Sequence, residues 1–179
     1  MDKNYIVPPS EIKLINKLIP EDHHFPNNPL LPLLVYQNAL ILPKENAATV
    51  IEEIFKENKW TSSWRNGIYD YHHYHSTAHE VLGIYRGQAT VQLGGPHGME
   101  IEIQKGDVII LPAGTAHKKI HASTDFACVG AYPTGQDYDM QYGKPGERPN
   151  ADHRIQQVPY PKHDPVYGYS GPLLNLWSS

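Results

Sequence analysis

Three histidines and one glutamate stand at metal-ligand spacing between Gly67 and His121. The first group reads Gly67, five residues, His73-Tyr74-His75, four residues, Glu80, six residues, Gly87. The second reads Gly106, five residues, Pro112-Ala113-Gly114, two residues, His117, with His121 four further on. In a chain of 179 residues with 11 His, 16 Pro and 14 Gly, chance yields His-x-His-x4-Glu roughly 0.04 times and Pro-x-Gly-x-x-His roughly 0.08 times. Their joint presence marks a site. Imidazole nitrogens with one carboxylate suit Mn, Fe, Ni, Co, Cu or Zn, and three neutral His with one Glu leave a divalent ion a net charge of about +1. Four ligands arriving from one side keep positions open for an oxygen-bearing small molecule, or for O2 beside it. Structural zinc would close all four positions and lean on Cys, and this chain has only Cys128.

Extended backbone alternates its side chains between two faces, so Tyr71, His73 and His75 share one face while His72 and Tyr74 share the other. Beyond Ser76-Thr77, His79 and Glu80 fall on opposite faces, with Leu82 and Ile84 in step with Glu80. Alternation leaves open which of the two points inward. In the second group Gly106-Asp107 makes a turn, Val108 to Leu111 a strand, and Pro112-Ala113-Gly114 a break. Strict alternation then puts His117, Lys119 and His121 on one face. His117 becomes the distant ligand, and His121, Lys119 or a tyrosine is a candidate for proton transfer to a guest. The competing reading makes His72, His79 and His121 supporting or surface residues and leaves Lys118 and Lys119 solvated. His23, His24, His97, His153 and His163 read as loop residues.

Converging these side chains requires separate strands to lie side by side, which a small β-barrel provides. From Ile68 to Tyr132, short runs rich in Val, Ile and Tyr are cut by glycine signals such as Arg86-Gly87, Gly94-Gly95-Pro96-His97-Gly98 and Lys105-Gly106. That pattern marks an all-β sandwich or barrel. Ala47, Val50, Ile51, Ile54 and Phe55 follow helical periodicity, with Glu52, Glu53 and Lys56 on the other face, and predict one covering helix over 46–58. Residues 1–45 are broken by prolines and read as extended edge strands laid on the core. Residues 133–179 are again rich in Pro and Tyr, but Leu173-Leu174-Asn175-Leu176-Trp177 asks for a surface to dock on, so a wrapping arm is expected. The organisation expected is one domain over 1–179: N-terminal arm and helix 1–60, barrel core 61–135, C-terminal arm 136–179.

Net charge is −4 and the sequence pI about 6.2, with no Lys/Arg stripe to neutralise a phosphate backbone, so nucleic acid is excluded as a partner. No segment approaches the ~18 apolar residues of a membrane span, and the N-terminus lacks a signal-peptide core. A cytoplasmic protein without membrane partners is expected. Cys128 sits in the apolar run Phe126-Ala127-Cys128-Val129 and reads as packing. Proline-rich arms needing a surface make a homodimer a candidate assembly.

Gly67, His73, His75, Glu80 and Gly87, followed by Gly106, Pro112, Gly114 and His117, resemble the two motifs of the cupin superfamily. Phe25-Pro26-Asn27-Asn28-Pro29, Trp64-Arg65-Asn66-Gly67-Ile68-Tyr69, Val129-Gly130-Ala131-Tyr132-Pro133 and Asp164-Pro165-Val166-Tyr167-Gly168 extend the similarity to the YjlB-like small bacterial cupins over nearly the full length. The resemblance implies a double-stranded β-helix, or jelly-roll, barrel in which His73, His75, Glu80 and His117 bind one divalent transition metal. It also implies that Glu80, not His79, is the inward ligand. His121 stands where the family usually has Asn. The superfamily holds dioxygenases, isomerases, lyases and non-enzymatic binders, so fold does not choose among them. The leading expectation is a metal-dependent enzyme acting on a small, oxygen-rich organic molecule, with O2-dependent chemistry as the first subclass. A non-catalytic ligand-binding or sensing protein and a metal-free structural barrel are the alternatives.

Overall fold

Leu33-Leu34-Val35-Tyr36, Val108-Ile109-Ile110-Leu111 and Ala127-Cys128-Val129 are continuous apolar runs, as a strand requires when both of its faces are covered. In the computed structural model, which describes residues 3–178, these runs lie within one sheet. The strands are β1 (Lys13–Lys17), β2 (Leu33–Gln37), β3 (Trp60–Asn66), β4 (Glu80–Arg86), β5 (Gln88–Leu93), β6 (Met99–Gln104), β7 (Val108–Leu111), β8 (His117–Ala122) and β9 (Ala127–Pro133). They form a six-stranded sheet in the order β1-β2-β7-β4-β9-β3 and a three-stranded sheet in the order β6-β5-β8. Every pairing is antiparallel. The fold is an all-β jelly roll.

The two-residue period sorts the larger sheet's side chains. Leu33, Val35, Leu82, Ile84, Ile109, Leu111 and Cys128 pack with Val91, Leu93, Ile101 and Ile103 of the smaller sheet. Their alternates Leu34, Tyr36, Val81, Val108, Ile110, Val129 and Ala131 pack on the opposite side, against Ile51, Ile54 and Phe55 of helix α1 (Ala47–Glu57). The smaller sheet is covered on one side only, so β6 alternates buried Ile101 and Ile103 with exposed Glu100 and Glu102. Cys128 is a buried free thiol within the first cluster.

Two expectations change here. The N-terminal segment is not only an edge: β1 is, but β2 lies between β1 and β7, fully covered on both sides. Pro32 merely starts that strand, a position proline tolerates. The C-terminal arm is not simply extended either, because it carries helices α2 (Asn150–Gln157) and α3 (Pro172–Leu176). Ala151 and Ile155, one helical turn apart, bury the inner side of α2, and Pro172 occupies the first turn of α3, where it costs no hydrogen bond.

The arm is tied down by polar groups. Tyr36 Oη donates to Asp164 Oδ2 at 2.6 Å, Asp164 Oδ1 accepts from the Val166 and Tyr167 amides, and Oδ2 accepts also from Leu173 N. Trp60 Nε1 donates to His163 O and Trp177 Nε1 to Pro32 O. Among the described residues no helix is long and apolar enough to cross a membrane.

Candidate metal centre

Glu80 opens β4 in register with Leu111, and its phase with Leu82 and Ile84 turns it into the space between the sheets. His79 consequently faces the other way. Its Nδ1 accepts the Ala113 amide proton at 2.9 Å, its ring lies 4.9 Å from Trp177, and burial pulls its pKa down to about 3. It is a neutral structural residue that seats the Pro112-Ala113-Gly114 turn.

His117 begins β8 opposite Leu93, an inward position. The segment carrying His73 is not a regular strand; it touches β8 through one antiparallel bridge, His73 to His117, with amide hydrogen bonds both ways. Bridge partners share a face, and the two rings accordingly lie 4.1 Å apart. His75 is held from two sides. Its carbonyl accepts the amide of Gly114, a residue at φ +94° where a Cβ would stand 2.4 Å from Asn27 O. Its ring is fixed by the segment after β9, where Asp139 O accepts from Nδ1 at 2.5 Å while the Asp139 carboxylate takes the Ser76 amide and hydroxyl. Asn27, fully buried, links the Pro20 and Gly94 carbonyls to the Ala116 amide beside His117.

The outcome is a buried group in which single donor atoms of His75, Glu80 and His117 all lie within 4.8 Å of one another. Glu80 Oε2 is 3.3 Å from His75 Nε2 and 3.2 Å from His117 Nε2. Two donors bound to one ion at about 2.1 Å stand roughly 3.0–3.4 Å apart, depending on the bond angle. His73 stands beside this trio, its ring centroid 6.1 Å from that of His75.

All three imidazoles share one orientation device. Nδ1 of His73, His75 and His117 faces the backbone carbonyls of Tyr71, Asp139 and Thr115, respectively. A neutral ring donating there presents its Nε2 lone pair, the state a metal ligand requires. Glu80 Oε2, meanwhile, is buried and meets no donor in hydrogen-bond geometry. A carboxylate oxygen enclosed by lone pairs is costly without a cation, so this donor set fits a bound divalent ion. Without an ion the same side chains pair with one another instead. Burial raises the Glu80 carboxyl, but His75 and His117 hold it below the usual carboxylate range. Burial lowers His75, yet Glu80 brings it above the ordinary imidazole value. His73 is pulled down to about 3 by burial and then by His117.

Glu80 Oε1 is occupied differently. Tyr132 Oη donates to it at 3.2 Å and itself accepts from Trp64 Nε1 at 2.9 Å. Trp64 reaches this place because it pairs with Gly130, whose Cβ would stand 2.2 Å from the indole. Gly130→Ala is therefore expected to displace Trp64 and cost about 1–3 kcal/mol, measured as a lowered Tm.

His121 does not join the group. A β-bulge between the pairs Val91–Lys119 and Thr90–His121 inserts Ile120 as an extra residue. The alternation therefore shifts by one, and His121 shares the outward side with Thr90. It is exposed and lines a separate open cleft of about 610 Å3, with Lys13, Gln88 and Glu102. Lys119 is partly buried, its amide bonded to Tyr69 O, and it too is absent from the lining of the metal-centre cavity. That cavity, about 220 Å3, is bordered by His73, His75, Glu80 and His117 together with Trp64, Tyr69, Tyr132 and Tyr138. The aromatic wall went unread in the sequence. Only the pairing of Trp64 with Gly130 across β3 and β9, which sets the indole diagonally beside Tyr132, brings it into view.

Residues 65–129 match the family described as Cupin domain. The chain is 45% identical over 158 residues to a protein of Bacillus subtilis (strain 168) called "Uncharacterized protein YjlB", covering 88% of this chain and 93% of that one. Among solved structures it overlays on acireductone dioxygenase from Bacillus anthracis with a cadmium ion in its active centre (TM-score 0.40, 16% identity, 52% of this chain and 63% of that one). It also overlays on dTDP-4-dehydrorhamnose 3,5-epimerase from Elizabethkingia anophelis (TM-score 0.42, 11% identity, 83% and 95%).

Proposed function

The chain belongs to the YjlB-like cupins, and on that footing we propose that it binds one divalent transition metal through His73, His75, Glu80 and His117 and there converts a small, oxygen-rich organic molecule. The carrying observation is the buried Glu80 Oε2, without a donor, facing two Nε2 atoms whose rings are tied at Nδ1. His73 completes the proposed set because its Nδ1 is tied in the same way. When bound, such an ion supplies Lewis-acid charge for an oxygen of the guest, with O2-dependent oxidation as the subclass we put first.

The chain's own groups do the rest. Tyr132 keeps its proton, since burial and then the Glu80 charge raise its hydroxyl above the ordinary phenol value. Trp64 Nε1 donates to the Tyr132 oxygen, which aims that proton at Glu80 Oε1. With Oε1 so engaged, Glu80 offers Oε2 alone as a ligand atom, and positions remain for a guest. Ile68, Leu82 and Met140 line the same cavity and keep water sparse around it.

One observation favours a second reading, binding without conversion. Neither His121 nor Lys119 lines the cavity, which leaves tyrosine hydroxyls as the proton donors beside the ligand set.

Elemental analysis of protein purified without chelator is expected to find about one equivalent of a transition metal. O2 uptake and product formation by that protein across diols, diketones and hydroxy acids then separate enzyme from binder. Less than about a tenth of an equivalent, even after reconstitution, would overturn both readings.

A further inference from the structure

The cavity before the metal centre is walled with rings and poor in charge, and from this we infer that its guest has a flat, ring-shaped body and one oxygen-bearing head, and is not a phosphorylated sugar or nucleotide. This rests on the metal reading above. Tyr132 and Tyr138 stack at 4.7 Å and 15° on one part of the wall, and Tyr69 stacks on Tyr71 at 4.9 Å and 17° on another. Within each pair the rings brace one another in fixed planes. Yet Tyr69 and Tyr138 are 51% and 50% exposed, although both border an interior cavity. Ordered aromatic faces left open beside a ligand set are surfaces for another ring, since offset stacking rewards a flat partner beyond the area it buries.

Charge points the same way. Arg65 is the one Lys or Arg bordering the cavity among the described residues, and its Nε and Nη2 are spent on the Glu52 carboxylate at 2.8 and 2.6 Å. A phosphate dianion is recognised by free guanidinium or ammonium groups, and the single guanidinium at this space is already paired with Glu52. The proposed centre carries a charge of only about +1, which one deprotonated hydroxyl, enolate or carboxylate balances. At about 220 Å3 the space is smaller than the ~300–1,000 Å3 of ordinary ligand pockets. It admits the head and one ring, with any remainder lying over Tyr69 and Tyr71 at the mouth.

Two hydroxamates with the same metal-binding head separate the ring from the head. Cobalt-loaded protein is titrated with acetohydroxamate and with benzohydroxamate, following the Co(II) visible bands. Benzohydroxamate is expected to bind about tenfold more tightly. Tyr69→Ala and Tyr138→Ala should each reduce that preference severalfold, read as the ratio of the two constants, which a change in the ligands His73 and His75 that these rings touch would move equally for both probes. Tyr69→Phe and Tyr138→Phe should restore the preference, because the ring and not the hydroxyl provides it. Equal binding of the two probes by the wild type, or a preference unchanged in both alanine variants, would overturn the ring subsite and leave the metal centre standing. Absence of Co(II) bands altogether would overturn the metal reading and the subsite with it.

Discussion

His75→Ala and Glu80→Gln are each expected to weaken metal binding by on the order of 10²-fold or more, since even the outer hydrogen-bond partners of metal ligands are worth 10–100-fold. Bound metal measured after gel filtration should fall below about a tenth of the wild-type content, with the β signal in circular dichroism retained. Thermal stability sharpens the test. In metal-free protein, Glu80→Gln removes the buried carboxylate that His75 and His117 hold ionised, so its Tm should fall below that of the metal-free wild type. Metal added to saturation should then raise the Tm of the wild type and not that of the variant. His121→Ala, on the outward side of β8, should keep full metal content. Wild-type metal content in His75→Ala or Glu80→Gln would refute the ligand assignment.

Asp164→Ala is expected to be the most damaging single change remote from the metal. The carboxylate is fully buried and accepts from Tyr36 Oη and from the amides of Val166, Tyr167 and Leu173. Removing one side of a buried, charge-assisted network costs about 3–5 kcal/mol, or a Tm lower by roughly 10 °C in a domain of this size. The loss should appear in differential scanning calorimetry, with metal stoichiometry unchanged at low temperature. A shift under ~2 °C would show that the C-terminal segment is held chiefly by Trp177 and Leu173 packing instead.

Much of the site was legible because metal chemistry restricts residue type and strands restrict spacing. His75, Glu80 and His117 are the residues whose donor atoms the fold brings within 4.8 Å; spacing marks all three as candidates, and the resemblance to the cupin motifs is what put Glu80 ahead of His79. Strand alternation could not choose between His79 and Glu80. The fold separates them by phase with Leu82 and Ile84, which pack against the smaller sheet, and with Val81, which packs toward α1. His121 was misplaced because the bulge at Ile120 has no local signature in His117-Lys118-Lys119-Ile120-His121; only pairing with β5 reveals it. The position of β2 was misread for a related reason. A both-sides-covered strand lacks alternation, and prolines at 29 and 32 made its apolar run look marginal. Asp139 was invisible as a support for His75 because it acts through its carbonyl, which every residue type possesses.

The central place of β2 has a consequence for how the protein is made. Ile109 and Ile110, which pair with Val35 and Leu34, lie some 75 positions later in the chain, and the hydroxyl of Tyr36 waits for Asp164, 128 positions away. A ribosome delivers the β2 segment with only β1 already made and long before β7 or Asp164 exists, so Leu33-Leu34-Val35-Tyr36 leaves the exit tunnel as an adhesive stretch with most of its cover still to come. Assembly of the large sheet is thus deferred until β7 and β9 have been made.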